Sequence, residues 1–447
     1  MKVPRPALLA EYAELLRAEL GEQDATVVRQ AWGRGTLVAF RFAFVYVILY
    51  CFPLPEDLSD LPWNPGAVAW RAVVPWIGAH LLRLSEPISL EDFGSGDTTY
   101  FFVRLLSITV LAVVTTIVWS IVDRRRREHA VLHAWFRVYL RHVLAFVMVG
   151  YGLAKVMGVQ FFAPNADQLL QTYAESSPMG LLVRFVGSSD AYRAFGGALE
   201  LLGAALLLYP ATTTLGALVV AGVMSNVAMM NLCYDCGVKL GSIHCLLFAC
   251  FLVAPDLRRL ARFFVLHLPT EGAPEVALFT KPRQRRAALA IKLVLTVGFV
   301  AHAVFDVTKA RRDLYPPPRE GSPEGAFEVE TFTRDGREVP LGDATRWQRV
   351  SFFGDKLGRA LTMDRSTRVV FFHADDLASH TTTLTKRADP PVPLGTLHYA
   401  EQDAATLTLS GTLEGAPVEI RLKKIDTSKM PLLSRGFHWI SERPYNR

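Results

Sequence analysis

TYFFVRLLSITVLAVVTTIVWSIV, residues 99–122, carries a single charge at Arg104 and runs straight into Asp123-Arg124-Arg125-Arg126-Arg127. About twenty apolar residues are what it takes to cross the hydrocarbon of a bilayer. A run of arginines directly after such a stretch marks the end that stays in the cytoplasm. Six more stretches of the same kind lie at roughly 35–53, 142–162, 194–209, 213–233, 240–255 and 287–305. Composition agrees, with 51% hydrophobic and 20% charged residues in 447 and a mean hydropathy of +0.24. Soluble domains sit nearer 25% charged. The sequence therefore predicts an α-helical polytopic membrane bundle of about seven spans. Roughly its last hundred and thirty residues return to ordinary soluble composition and form a separate C-terminal domain.

The division reads as follows. A mixed-charge amphipathic segment without the apolar core of a secretory signal covers 1–33. Two spans and their loop cover 34–129, four more 130–257, a basic loop 258–286, the last span 287–305, and a Pro-rich linker 306–321. Orientation follows from Lys/Arg bias. The arginines at 124–127 and the set Arg258, Arg259, Arg262, Lys281, Arg283, Arg285 and Arg286 fall in loops that share one side. The loops between them are acidic or neutral, as in Glu56-Asp57-Leu58-Ser59-Asp60 and Glu91-Asp92. This places the N-terminus in the cytoplasm of a bacterial cell, and the C-terminal domain in the periplasm. The net charge of +6 is then membrane topology, and no aromatic platform beside the basic residues suggests nucleic acid.

Residues 322–447 alternate with period two and close on turn dipeptides: Phe327–Thr331 leads to Asp335-Gly336, and Thr406–Leu409 leads to Glu414-Gly415 and Val418–Leu422. Such alternation predicts antiparallel hairpins. About eight runs suffice for a small all-β barrel or a sandwich. The tail, Ser434–Arg447, is dense in aromatic and basic residues. It reads either as a final strand burying Phe437, Trp439 and Ile440 or as a patch for a ligand or partner.

Ionisable groups inside a span are costly and normally face protein, so each is a site candidate. Arg104, Lys155 and Glu200 fall at similar depth near the outer leaflet, and Gly196 and Gly203 share a helix face with Glu200. The trio reads as one cluster, a carboxylate between two cations, with Tyr151 one turn before Lys155. It is either a polar pocket that binds a headgroup or carries protons, or a compensated ion pair with a snorkelling neighbour. Arg41, Arg137, Arg141 and Lys292 lie near inner ends and read as snorkelling to headgroups, while His302 and Asp306 read as interfacial.

Asn226, Met230 and Cys233 share a helix face that ends in Cys233-Tyr234-Asp235-Cys236-Gly237-Val238-Lys239. A Cys-x-x-Cys with a carboxylate inside it and a lysine beyond can cycle between dithiol and disulfide, the cation lowering the thiol pKa. The alternatives are a static disulfide or two packed small hydrophobes. Cys245 and Cys250 read as buried. With no second cysteine pair and His244 the one imidazole nearby, no metal site is expected. Gly94-Ser95-Gly96-Asp97-Thr98-Thr99 reads as a turn and cap for the second span, Asp97 or Thr98 satisfying its first amides. No phosphate loop, dinucleotide fingerprint, nucleophile elbow or zincin helix is present.

The stretch from about Tyr139 to Asp256 resembles the DoxX family of four-helix membrane proteins. The resemblance is carried by Tyr151-Gly152-Leu153-Ala154-Lys155, Gly197-Ala198-Leu199-Glu200-Leu201-Leu202-Gly203, Thr213-Thr214-Leu215-Gly216-Ala217 and Met230-Asn231-Leu232-Cys233-Tyr234-Asp235. It implies a four-helix core and a link to membrane redox chemistry, since one branch of that family is a subunit of a thiosulfate:quinone oxidoreductase. On this reading the bundle binds a quinone, as cofactor, or another lipid-soluble ligand. Glu200, Cys233 and Cys236 do the chemistry, and Arg104, Tyr151, Lys155, Asn226, Asp235 and Lys239 line the ligand site. A periplasmic redox protein or partner subunit would supply the electrons. The other reading is a non-catalytic anchor whose periplasmic β-domain binds a lipid or a protein.

The orientation has a direct test. An alkaline phosphatase fused after Arg447 is expected to be active in a bacterial host, and a cytoplasm-only fluorescent reporter at the same point to be dark.

Overall fold

The computed structural model describes residues 31–56, 64–91, 94–270, 278–315, 321–353, 357–364, 368–388, 390–403 and 405–443. The amphipathic N-terminal segment up to residue 30, Asp57–Asp60, Asp92, the prolines 316–318 and the last four residues lie outside the described residues. The chain divides into two compact units. One comprises Met1–Val147, Gly203–Ala228 and Gly237–Val297; the other comprises Met148–Leu202, Met229–Cys236 and Gly298–Arg447.

The helices are α1 (Arg34–Cys51), α2 (Pro65–His80), α3 (Thr99–Val122), α4 (Ala130–Val156), α5 (Ala166–Leu170), α6 (Pro178–Gly187), α7 (Asp190–Leu208), α8 (Thr213–Cys233), α9 (Lys239–Val253), α10 (Leu257–Phe264) and α11 (Pro282–Leu314). Seven segments among the described residues are long and apolar enough to cross a membrane: α1, α3, α4, α7, α8, α9 with its continuation α10, and α11. The chain is a multi-pass helical membrane protein with a β-domain.

The third span departs from its expected bounds at both ends. It begins at Ala130, twelve residues early, because Arg137 and Arg141 find partners in Asp256 (3.9 Å) and the Thr213 hydroxyl (3.1 Å) and need not leave the helix. It stops at Val156, where Gly158 turns to φ +76° and Phe161 to φ +58°. The cap of α3 is also different. Thr98 makes no side-chain cap, and both Asp97 carboxylate oxygens accept from the first amides of α9 instead, Lys239 at 2.8 Å and Leu240 at 2.9 Å. A carboxylate at a helix N-terminus satisfies orphan donors and opposes the helix dipole.

In the second unit, β1 (Gly325–Arg334), β3 (Trp347–Phe353), β4 (Leu357–Thr362), β5 (Arg368–Asp376), β6 (Thr381–Ala388), β7 (Pro391–Asp403), β8 (Thr406–Leu413) and β9 (Ala416–Lys424) pair antiparallel in sequence, and β9 returns to β1. The result is a closed eight-strand barrel, with the two-residue β2 (Arg337–Glu338) folded onto the end of β1. Closure leaves no edge strand in the ring. Both turn dipeptides act as expected: Asp335 and Gly336 have φ +52° and +71°, Glu414 and Gly415 +52° and +82°. Two central residues with positive φ give the type I′ turn that matches strand twist.

Alternate residues fill the interior, among them Phe332, Trp347, Val350, Phe352, Phe371, Leu384, Leu397, Leu409 and Ile420. Polar groups plug both ends. Buried Arg346 donates to the carbonyls of Val339 and Glu330 where β1 finishes. Near its start, His373 Nδ1 meets Asp375 at 3.0 Å and the Ser322 hydroxyl donates to the same carboxylate at 2.5 Å. The barrel closes on β9, and of the two readings of the tail the terminal strand is not seen among its described residues. Phe437, Trp439 and Ile440 are 77%, 91% and 78% exposed.

Burial alone would raise the Asp375 pKa, but the hydrogen bonds with His373 and Ser322 outweigh it and hold the carboxyl below its ordinary value. A depressed carboxyl stabilises the fold above its unfolded pKa and loses that contribution as pH falls through the folded one. Below about pH 4 the barrel is therefore expected to lose protection. Asp375→Asn should cost about 2 kcal/mol at neutral pH. Amide hydrogen exchange of barrel peptides in the intact chain reads both effects.

Candidate functional site

Two glycines bring α4 and α7 backbone to backbone. A Cβ on Gly197 would stand 2.6 Å from the Gly152 carbonyl oxygen, and one on Gly152 would stand 2.9 Å from the Gly197 oxygen. At that separation the Lys155 side chain, in the last turn of α4, reaches the middle of α7. Its Nζ donates to both Glu200 oxygens, at 2.7 and 2.8 Å, with the two side chains 10% and 2% exposed. The ammonium also lies over the rings of Tyr151 (5.5 Å) and Phe161 (6.0 Å). Charge-assisted double contacts of this kind are strong, and cation–π attraction strengthens as water is removed.

The turn after Lys155 is held from several directions. Arg193 Nε donates to the Lys155 carbonyl at 3.1 Å and its Nη1 to that of Phe161 at 3.2 Å, while Nη2 pairs with Asp190 at 2.7 Å. From the end of α11, Arg311 donates to Met157 O at 2.9 Å and the Tyr315 hydroxyl to Gly158 O at 3.2 Å. Downstream in the same loop, Asp167 pairs with Arg359 of β4 at 3.1 Å, and Arg349 of β3 donates to Leu170 O at 3.0 Å. The loop that follows the Lys155–Glu200 pair is thus fastened to the barrel within one unit. Arg193, Arg311 and Arg359 were invisible to sequence reasoning, because each acts on a main-chain oxygen or a loop acid far away in sequence.

Arg104 has a different carboxylate from the one expected. In the first unit it pairs with Glu56 at 3.4 Å, donates to Tyr50 O at 2.9 Å and lies over the Tyr50 ring at 5.4 Å. Glu56 also receives the Tyr100 hydroxyl and the Arg71 guanidinium, each at 2.9 Å. Beside them His244, 3% exposed, stacks on Tyr50 with ring centroids 4.0 Å apart, and its Nε2 meets the Tyr46 hydroxyl at 2.7 Å. Its Nδ1 faces the Leu240 carbonyl at 2.7 Å, so that nitrogen carries the proton and Nε2 accepts from the phenol. Tyr46, Glu56, Tyr100 and His244 were missed as site residues. Glu56 read as one acid of a solvated loop, yet its side chain is 7% exposed. The i, i+4 spacing of Tyr46 and Tyr50 was the available signal.

The cysteine motif resolves into a helix cap. The amide of Cys236 donates to the Asn231 carbonyl at 3.0 Å across Asp235, which has φ +52°. This is the Schellman ending of a helix, in which the residue after the left-handed one packs back onto the last turn. Cys236 occupies that packed position and is 5% exposed, whereas Cys233 is exposed; both are free thiols. Asn226 and Asp235 are exposed too. The Lys239 ammonium pairs with Asp97 at 3.6 Å. Cys245 is buried as expected, but Cys250 is exposed. No group of three or more His, Cys, Asp or Glu that could hold a metal occurs among the described residues.

Arg41 does not snorkel. It is 3% exposed, donates to His129 Nε2 at 3.2 Å and to Asp123 O at 3.1 Å, and lies over Trp119 at 5.7 Å. Lys292 donates to the Leu208 carbonyl. His302 and Asp306 form a half-exposed pair at 3.1 Å.

No protein-family model matches the chain, and no solved structure does. The uncharacterized protein YwoB of Bacillus subtilis (strain 168) is 32% identical over 142 residues, which is 31% of this chain and 86% of that protein. The chain belongs to the family of that protein.

Breaking one partner of a buried ion pair leaves an uncompensated charge and costs about 3–5 kcal/mol. Lys155→Met and Glu200→Gln are each expected to lower the midpoint of thermal unfolding in detergent markedly. The double variant, which removes both charges, should recover most of the loss.

Proposed function

We propose that this member of the YwoB family binds the polar head of a quinone or another lipid-soluble molecule at the Lys155–Glu200 pair, in a process linked to thiol or sulfur redox chemistry. The observation that carries the reading is the Lys155 ammonium donating to both Glu200 oxygens, nearly dry and flanked by the Tyr151 phenol. A quinone takes two electrons and two protons on reduction to quinol. On this reading Glu200 relays a proton and Lys155 steadies a reduced oxygen electrostatically. Two thiols oxidised to one disulfide release the matching two electrons and two protons. Cys233 is the exposed thiol of the motif, and a disulfide between it and a thiol of a partner redox protein would release them. Cys236, buried as the packed residue of a helix cap, is not the thiol exposed to such a partner.

A second reading has its own support. The barrel is closed and filled, and the exposed Phe437, Trp439 and Ile440 follow it without strand partners. An aromatic tail on a rigid domain is suited to docking a protein or membrane surface, which would make the helices an anchor.

Mass spectrometry of the protein purified in mild detergent distinguishes the two. A quinone or lipid that co-purifies with wild type, and is lost from folded Glu200→Gln and weakened in Tyr151→Phe, is the expected result. A ligand that survives both substitutions, or none at all, would move the function to the barrel and its tail.

A further inference from the structure

The 3₁₀ turn Ala254–Asp256 breaks the sixth span before it ends. Asp256, 7% exposed, anchors the break. It accepts from the Thr214 hydroxyl at 2.5 Å and from Arg259 Nη1 at 2.8 Å, and Arg137 lies 3.9 Å away. After the break, α10 reads Leu-Arg-Arg-Leu-Ala-Arg-Phe-Phe, and every residue from Ala261 to Thr270 is exposed. Phe263, Phe264, Val265 and Leu266 are 58%, 66%, 71% and 58% exposed. An open groove of about 530 Å³ runs along Phe263, Phe264, His267, Leu268, Pro269 and Thr270. Arg259 is engaged by Asp256, whereas Arg258 and Arg262, one turn apart on the same helix face, are exposed.

Charge is concentrated in the same stretch. Residues 257–270 and 278–290 carry seven cations (Arg258, Arg259, Arg262, Lys281, Arg283, Arg285 and Arg286) and no carboxylate, with Glu271 and Glu275 between them. Arg285 folds back to donate to Phe279 O at 2.9 Å, and Phe279 packs edge-on against Trp135 at 5.3 Å, which ties the start of α11 to the same unit. A short basic helix with a bare aromatic face, continuing a membrane span, has the make-up of an interfacial element. Water would not tolerate the phenylalanines, and hydrocarbon would not tolerate the arginines. The headgroup layer of an anionic leaflet accepts both.

We propose that Leu257–Leu268 is an anionic-phospholipid site, with acyl chain against Phe263, Phe264 and Leu268 and the phosphate between Arg258 and Arg262. This site is separate from the Lys155–Glu200 pair and does not depend on the reading given to that pair.

Native mass spectrometry of the full chain, titrated in detergent with phosphatidylglycerol or phosphatidylcholine, tests it. Wild type is expected to retain phosphatidylglycerol preferentially, and each arginine removed should lower that preference about fivefold. R258Q/R262Q should lose most of it. R258K/R262K, which keeps the charge, should retain most of it and shows that the loss is not misfolding. K423Q/K424Q on the barrel should change nothing. Equal retention of the two lipids, an unchanged preference in R258Q/R262Q, or an equal loss in K423Q/K424Q would each overturn the proposal.

Discussion

An isolated charge in hydrocarbon costs several kcal/mol, while a charge that has found its counter-ion costs far less. The bundle is organised around that difference. Each ionised group within the described spans that is deeply buried has a partner contributed by a distant part of the chain. Lys155 meets Glu200 at 2.7 Å across two helices, Arg104 meets Glu56 from an inter-span segment at 3.4 Å, and Arg41 meets the Asp123 region. Asp256 gathers Arg259, Arg137 and Thr214 at the start of α10. These contacts fix which helices are neighbours more sharply than apolar packing does, because lipid tails compete with leucine for leucine but do not compete for a carboxylate.

The same accounting reaches the main chain. Arg193, Arg311 and Tyr315 give the irregular turn after Lys155 the hydrogen bonds that a helix would have supplied internally. An ordered, non-helical turn beside a dry ion pair is affordable only with such donors. In the barrel the solution is closure: β9 pairs with β1, and every ring strand has two neighbours. Two very different architectures therefore answer one requirement, that buried main-chain polar atoms find partners.

Most of the architecture was legible in the sequence. Hydropathy located seven spans, because length and apolarity are read directly off the chain, and the Asp-Gly and Glu-Gly turns announced the barrel through their demand for positive φ. What escaped was pairing at long range. Lys155 and Glu200 were expected together because glycines and matching depth pointed at one surface. Arg104 was assigned to the same cluster on depth alone, and depth does not say which neighbour a helix has. Glu56 was passed over because an acid in an acidic loop looks solvated until the fold is seen. The early start of α4 escaped for a related reason: Arg137 and Arg141 lower the hydropathy of a helix whose cations are already partnered.

The cysteine pair shows why spacing alone is an ambiguous witness. In a redox motif the cysteines lie three positions apart because a tight turn must bring the sulfurs within bonding distance. In a Schellman cap the same offset separates the last helical residue from the one that packs back on the helix, and the second of the two residues between them must tolerate positive φ. Asp235 at φ +52° meets the second requirement, and the burial of Cys236 beside an exposed Cys233 is the asymmetry that a cap produces. A carboxylate placed inside the motif serves the cap, since aspartate enters the left-handed region more readily than most residues. It does nothing to favour a thiolate. The Lys155–Glu200 pair owes nothing to chain termination: it joins two helices across forty-five residues, which is why the proposed reading rests on it rather than on the motif that first draws the eye.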